Sequence, residues 1–128
     1  MKLVDTNILL RYLLNDHPEM SARAKEIMTD GEVLLLVQVV AEAVYVLGGV
    51  YKIKRPEIAD ALRSVFLLET VHLETSDIVL LTVDEYAEST LDFVDLLLYA
   101  HHRITGLAVE TFDKPLLRKL QAVITDTP

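Results

Sequence analysis

Val33-Leu34-Leu35-Leu36-Val37 is an uninterrupted apolar run with a helix-like segment on either side. A run of that length suits a strand covered on both faces, as in a parallel sheet. The same alternation recurs along the chain. Leu3-Val4 reads as a short strand, residues 8–15 and 19–28 as helices, and residues 39–51 as a helix carrying Val40, Val44 and Leu47 on one side. Arg55-Pro56-Glu57 opens another helix through Phe66, and residues 71–73 form a second short strand. Ser76-Asp77 caps a helix running to about residue 89. A further helix covers residues 93–104 and stops at Gly106, which suits a left-handed helix terminator. Residues 107–111 read as the next strand. Asp113-Lys114-Pro115 opens a short helix through Leu120, and residues 122–124 read as a last strand. Strands alternating with helices predict an α/β fold with a mostly parallel sheet of four to five strands.

The chain has 128 residues, which predicts a single domain over 1–128. With 52% apolar residues it can bury a sizeable core. It has no cysteine, so disulfides, thiol catalysis and thiolate metal sites are excluded. No basic stretch followed by an apolar run marks a signal peptide, and no apolar run spans a bilayer. A cytoplasmic location is the expectation. The net charge of −8 argues against a broad phosphate-binding surface. It leaves room for a small site where cations supply positive charge, and it suits a basic protein partner.

With twenty acids present, the informative ones are those in apolar surroundings, where a carboxylate needs a partner. Asp5 follows Leu3-Val4. Glu42 is the sole charge in residues 37–44. Asp95 lies within Phe93-Val94-Asp95-Leu96-Leu97-Leu98, and Asp113 follows the expected strand 107–111. Parallel strands would bring all four to one edge of the sheet, where ligand sites of open α/β sheets lie. Four carboxylates together persist only with protons or cations between them. Without His or Cys ligands, such a set favours Mg²⁺ or Mn²⁺ and suits phosphodiester hydrolysis. Thr6, Asn7 and Thr111 stand beside the acids and could orient carboxylates or waters. Three of the acids also have a structural reading: Asp5 with Thr6 or Asn7 as a helix cap, Asp113 as a cap, Asp95 as a first-turn acid favoured by the helix dipole. Glu42 is the hardest to explain that way, since an isolated buried Glu is rare.

Asp5-Thr6-Asn7, Glu42 within residues 39–47, Asp95 within residues 92–100, and Thr111-Phe112-Asp113-Lys114 resemble the PIN domain. Size and motif spacing look like a VapC-type ribonuclease toxin of a toxin–antitoxin pair. The resemblance implies a central parallel sheet with helices on both faces, in a three-layer α/β/α arrangement. It implies Mg²⁺- or Mn²⁺-dependent endonucleolytic cleavage of RNA, an antitoxin partner, and a homodimer. Asp5, Glu42, Asp95 and Asp113 match the acidic quartet, and Thr6, Asn7 and Thr111 the supporting polar positions. Gln38 stands where the family more often has a Ser or Thr cap.

Other features have ordinary explanations. Asp92 reads as a cap or first-turn acid, and Asp84, Glu85 and Glu88 as a solvated helix face. The neighbours His101 and His102 cannot share one helix face, and His17 reads as loop. Lys52, Lys54 and Arg55, with Arg11, Lys114, Arg118 and Lys119, read as surface charge or as contacts to RNA phosphates. Gly48-Gly49 either ends its helix or allows close packing. Val44, Leu47 and Tyr51 suit a core, a groove or a dimer face. An aspartyl phosphatase would need a second acid where Asn7 stands, and a receiver domain would need an acceptor acid where Glu74-Thr75-Ser76 follows residues 71–73. The remaining alternative is a non-catalytic module whose acids hold a structural cation or a basic partner.

Overall fold

The structure is a computed structural model that describes residues 1–126, and the side chains of residues 1–122. The elements run β1 (Lys2–Leu3), α1 (Thr6–Leu14), α2 (Pro18–Thr29), β2 (Val33–Leu35), α3 (Val37–Gly49) and α4 (Arg55–Phe66). They continue with β3 (Val71–Leu73), α5 (Ser76–Glu88), α6 (Phe93–Thr105) and α7 (Lys114–Asp126). The architecture is α/β, as the alternation of patterns predicts.

The strands form one parallel sheet in the order β1-β2-β3. Lys2 pairs with Val33 and Leu3 with Leu34. Val33, Leu34 and Leu35 pair with Val71, His72 and Leu73. Parallel neighbours need helical crossovers, and α1–α2 and α3–α4 supply them. Val33 and Leu35 are fully buried in the central strand. They pack with Leu9 of α1, Val40 and Leu47 of α3, Ile58 and Leu62 of α4, and Leu96 of α6.

The sheet has three strands among the described residues, fewer than the four to five expected. Residues 107–111 do not form a strand. Local bonds take this segment instead: His102 Nδ1 meets the Leu107 carbonyl at 2.7 Å, and the Leu107 amide donates to Thr105 Oγ1 at 3.2 Å. Val109 then packs on the small cluster of Tyr99, Leu116 and Leu120. Among the described residues β1 is an edge strand, and Leu3 is 62% exposed. Residues 122–124 lie inside α7 rather than in a strand.

The apolar run 33–37 also behaves differently from a five-residue strand. Leu36 turns the chain, and its carbonyl accepts from the Val39 and Val40 amides at 3.0 and 3.2 Å, opening α3 two residues early. Gln38 is therefore inside the first turn of α3, not before it. Helix α6 ends at Gly106 in the left-handed conformation (φ 78°), which glycine adopts without steric cost.

Arg55 at the start of α4 ties three helices together. Its Nε donates to the Tyr86 carbonyl at 2.9 Å and its Nη2 to the Leu91 carbonyl. Its guanidinium lies 3.7 Å from the centre of the Tyr86 ring, and Tyr86 meets Phe93 edge-on at 5.9 Å. The residue thus has a structural role. Arg55→Ala leaves two carbonyls without donors and is expected to cost about 2–4 kcal/mol. Urea denaturation measures this, and a loss under about 0.5 kcal/mol, the range of an ordinary surface substitution, would remove the clasp from the account.

Candidate active site

Three of the four acids stand at helix N-termini. Asp5 is the N-cap of α1, with its Oδ1 accepting from the Ile8 amide at 3.0 Å. Thr6 and Asn7, expected as caps, are instead the first residues of the helix. The cap engages one carboxylate oxygen and leaves the other without a hydrogen bond among the described residues. Asp113 caps α7 in the same way, its Oδ2 accepting from the Leu116 amide at 2.9 Å. The Thr111 hydroxyl accepts from the Asp113 amide at 3.0 Å, so Thr111 fixes the backbone that carries the acid.

Asp95 lies in the first turn of α6 and is half-buried. Its carboxyl is pushed above the ordinary aspartate range, first by burial and then by the charges of Asp113 and Asp92. Asp95, Asp113 and Asp92 therefore share one electrostatic neighbourhood. A cation is the natural relief for such a group.

Glu42 departs from expectation. The apolar residues around it in sequence lie on the buried side of α3, at Val40, Ala43, Val44 and Leu47. Glu42 itself faces solvent, as do Asp5 and Asp113. No hydrogen bond or ion pair joins Asp5 or Glu42 to the Asp95 group. Among the described residues no three acids or histidines stand close enough to hold one metal ion. Within the quartet, Asp113 is the member whose charge reaches Asp95.

Asp92 gains a role that the sequence pattern understates. It occupies the N-cap position of α6, but its side chain makes no capping bond. Its charge acts on Asp95 and also, with burial as the larger cause, raises the Tyr86 hydroxyl. The Asp92-x-x-Asp95 spacing was the available signal.

The cations divide into two sets. Arg11 pairs with Asp16 at 2.8 Å and donates to the Tyr51 hydroxyl at 3.0 Å. Lys119 pairs with Glu85 at 2.8 Å and lies over the Tyr99 ring. With Arg55, these are committed to the fold. Lys52, Lys54, Lys114 and Arg118 are exposed, with no partner among the described residues. His17 caps α2, accepting from the Met20 amide, and His102 Nδ1 meets the Leu107 carbonyl.

The donor chemistry fits a hard divalent cation. Mg²⁺ is commonly held by one or two carboxylates and completes its shell with water. Asp95 and Asp113, close enough for one charge to act on the other, are donors of that kind. No described helix is long and apolar enough to cross a membrane. No curated protein and no solved structure matches the chain significantly. The family model described as the PIN domain matches residues 2–121, nearly the full sequence. PIN domains are generally nucleases, which agrees with carboxylates gathered at helix N-termini beside a parallel sheet, and the chain belongs to the PIN domain family.

Proposed function

We propose that the protein is a Mg²⁺- or Mn²⁺-dependent endoribonuclease, and that it acts as the toxin of a toxin–antitoxin pair. The observation that carries this reading is the strained acid Asp95 beside Asp113 and Asp92, within a PIN domain. A negative chain that must hold a polyanion needs cations at the point of contact. Asp5, Glu42, Asp95 and Asp113 are the proposed catalytic and metal-binding acids, with Thr6, Asn7 and Thr111 in support.

Asp95 and Asp113 hold the metal in this reading. When bound, Mg²⁺ or Mn²⁺ supplies neutralisation of the phosphate and a water of lowered pKa. The free oxygen of Asp5 can accept a hydrogen bond from water or reach the ion. Glu42, exposed on α3, is available as a proton acceptor or a further ligand. Thr111 keeps Asp113 in place through the backbone. A cytoplasmic location, a homodimer and an antitoxin partner belong to the same proposal. The net charge of −8 suits a basic partner, and exposed Leu3, Leu107 and Phe112 supply apolar surface for one.

Asp5 separates the capping role from the chemical one. Asn caps a helix about as well as Asp, whereas Ala costs about 1 kcal/mol. Asp5→Asn is therefore expected to keep the melting temperature and abolish RNA cleavage, while Asp5→Ala loses both. Cleavage of RNA by Asp5→Asn at the wild-type rate would reduce Asp5 to a cap.

Asp95 gives a test with no turnover in it. A carboxyl raised above its unfolded value holds its proton more tightly when folded. It therefore withdraws stability as pH rises from the unfolded pKa through the folded one, and the full penalty remains at pH 7. Asp95→Asn is expected to raise the melting temperature of the metal-free protein at pH 7 and to make no difference at pH 3. Mn²⁺ should raise the melting temperature of wild type but not of this variant. An equal metal response in both would take Asp95 out of the site. Metal binding without cleavage of any RNA would favour the non-catalytic module.

A further inference from the structure

A cleft of about 690 Å³ opens between the end of α3, the loop 50–54 and the start of α6. It is large enough for a small ligand, for which sites of about 300–1,000 Å³ are usual. Its walls combine three kinds of group. Val44, Phe93 and Val94 are apolar, Lys52 and Lys54 are cationic, and Tyr45 is an aromatic ring left 78% exposed.

One acid, Asp92, lines the cleft, and the elements that form its walls also carry Glu42 and Asp95. Tyr45 is three residues from Glu42, so the two are neighbours on one face of α3. Asp92, at the rim, is part of the Asp95 neighbourhood. Helices α3 and α6 are in contact, which fixes the two walls relative to each other.

The loop is built to hold Lys52 in place. Lys52 has φ 57°, in the left-handed region where a residue with a side chain is strained. Both neighbours are anchored. The Tyr51 hydroxyl takes a bond from Arg11, and the Ile53 amide donates to the Leu47 carbonyl at 3.0 Å. Strain of this kind persists where the surroundings over-determine it, and it concentrates at ligand clamps. Two lysines without partners stand here, in a chain with eight more acids than bases.

We propose that this cleft binds one unstacked nucleotide of single-stranded RNA beside the cleaved phosphate. Tyr45 stacks on the base, and Lys52 and Lys54 take the adjoining phosphate. The proposal rests on the ribonuclease reading for its cleavage arm only. Every base presents a face for stacking, so the site selects for an unpaired strand and not for a sequence. An acidic peptide would satisfy the lysines and leave the exposed ring unused.

The test uses a labelled single-stranded RNA and the full chain carrying Asp5→Asn, so that the RNA stays intact. Lys52→Ala with Lys54→Ala is expected to weaken binding about tenfold at moderate salt. It should also flatten the slope of log affinity against log salt by about 0.7, since one neutralised phosphate of a single strand is worth about 0.7. Tyr45→Ala should weaken binding about fivefold and Tyr45→Phe should not, because stacking needs only the ring. Lys25→Ala, on the exposed side of α2, controls for net charge. With Asp5 restored, the lysine variants should raise KM and leave kcat within about twofold, as loss of uniform binding does.

Unchanged affinity and salt slope in the lysine and tyrosine variants would overturn the subsite while leaving the ribonuclease intact. If Tyr45→Ala splits a dimer and RNA binding stays, the cleft is an interface between copies and the proposal fails. Binding that follows these variants in a protein that cleaves no RNA would remove the ribonuclease and keep the subsite. No RNA binding by any form would remove the subsite.

Discussion

The Arg55 guanidinium is the joint on which the candidate site depends. It starts α4, yet its bonds end on the carbonyls of Tyr86 and Leu91, at the close of α5 and in the turn before α6. A charge taken partly out of water is costly unless its donors are satisfied. Here two carbonyls and the Tyr86 ring face offset that cost. The geometry fixes where α5 stops and where α6 begins. Asp92 and Asp95 stand in the first residues after that junction, so their place relative to Asp113 follows from a contact that involves no acid.

Against this rigid frame the acids are held at a disadvantage. Asp95 sits in the first turn of a 13-residue helix, where the dipole favours a negative charge. Burial and two neighbouring aspartates outweigh that benefit and leave its carboxyl harder to ionise. A fold selected for stability alone would place an amide here. Asp5 and Asp113 show the complementary arrangement: each lends one oxygen to a helix amide and keeps the other free. The capping bond holds the carboxylate at a fixed angle while leaving it half its acceptors, so the structural and chemical readings of these residues are compatible.

The same comparison explains what sequence could and could not reveal. Element order was legible because apolar residues at helical spacing and short β-branched runs have few other uses, and β3, α5 and α6 lie within a residue or so of expectation. The segment 107–111 misled because its composition is strand-like, while the decision was made by His102, Thr105 and the packing of Val109. Glu42 misled for a geometric reason. A charge flanked by apolar neighbours in sequence is not flanked by them on a helix, where residues turn by about 100° each, and its position falls off the Val40–Ala43–Val44–Leu47 stripe. The acids were visible as residue types, and the sheet topology grouped Asp113 with Asp95; what the pattern understated was Asp92, which as a first-turn acid had an ordinary explanation. Arg55 looked like surface charge, since its acceptors lie 31 and 36 residues away.

Charge economy ties these features together. Of the basic residues suggested for nucleic acid, Arg11, Arg55 and Lys119 hold the fold. What remains is local: Lys52 and Lys54 in the loop before α4, Lys114 and Arg118 on α7. A protein so arranged cannot gather RNA through a broad field, and its long-range potential opposes the encounter. In the proposed function, affinity for RNA comes from short-range contacts and from cations carried into the carboxylates. Such binding depends weakly on salt for its few phosphate contacts and strongly on divalent ions. It also places discrimination in the shape of the strand near the acids, where a paired duplex would have no free base to offer.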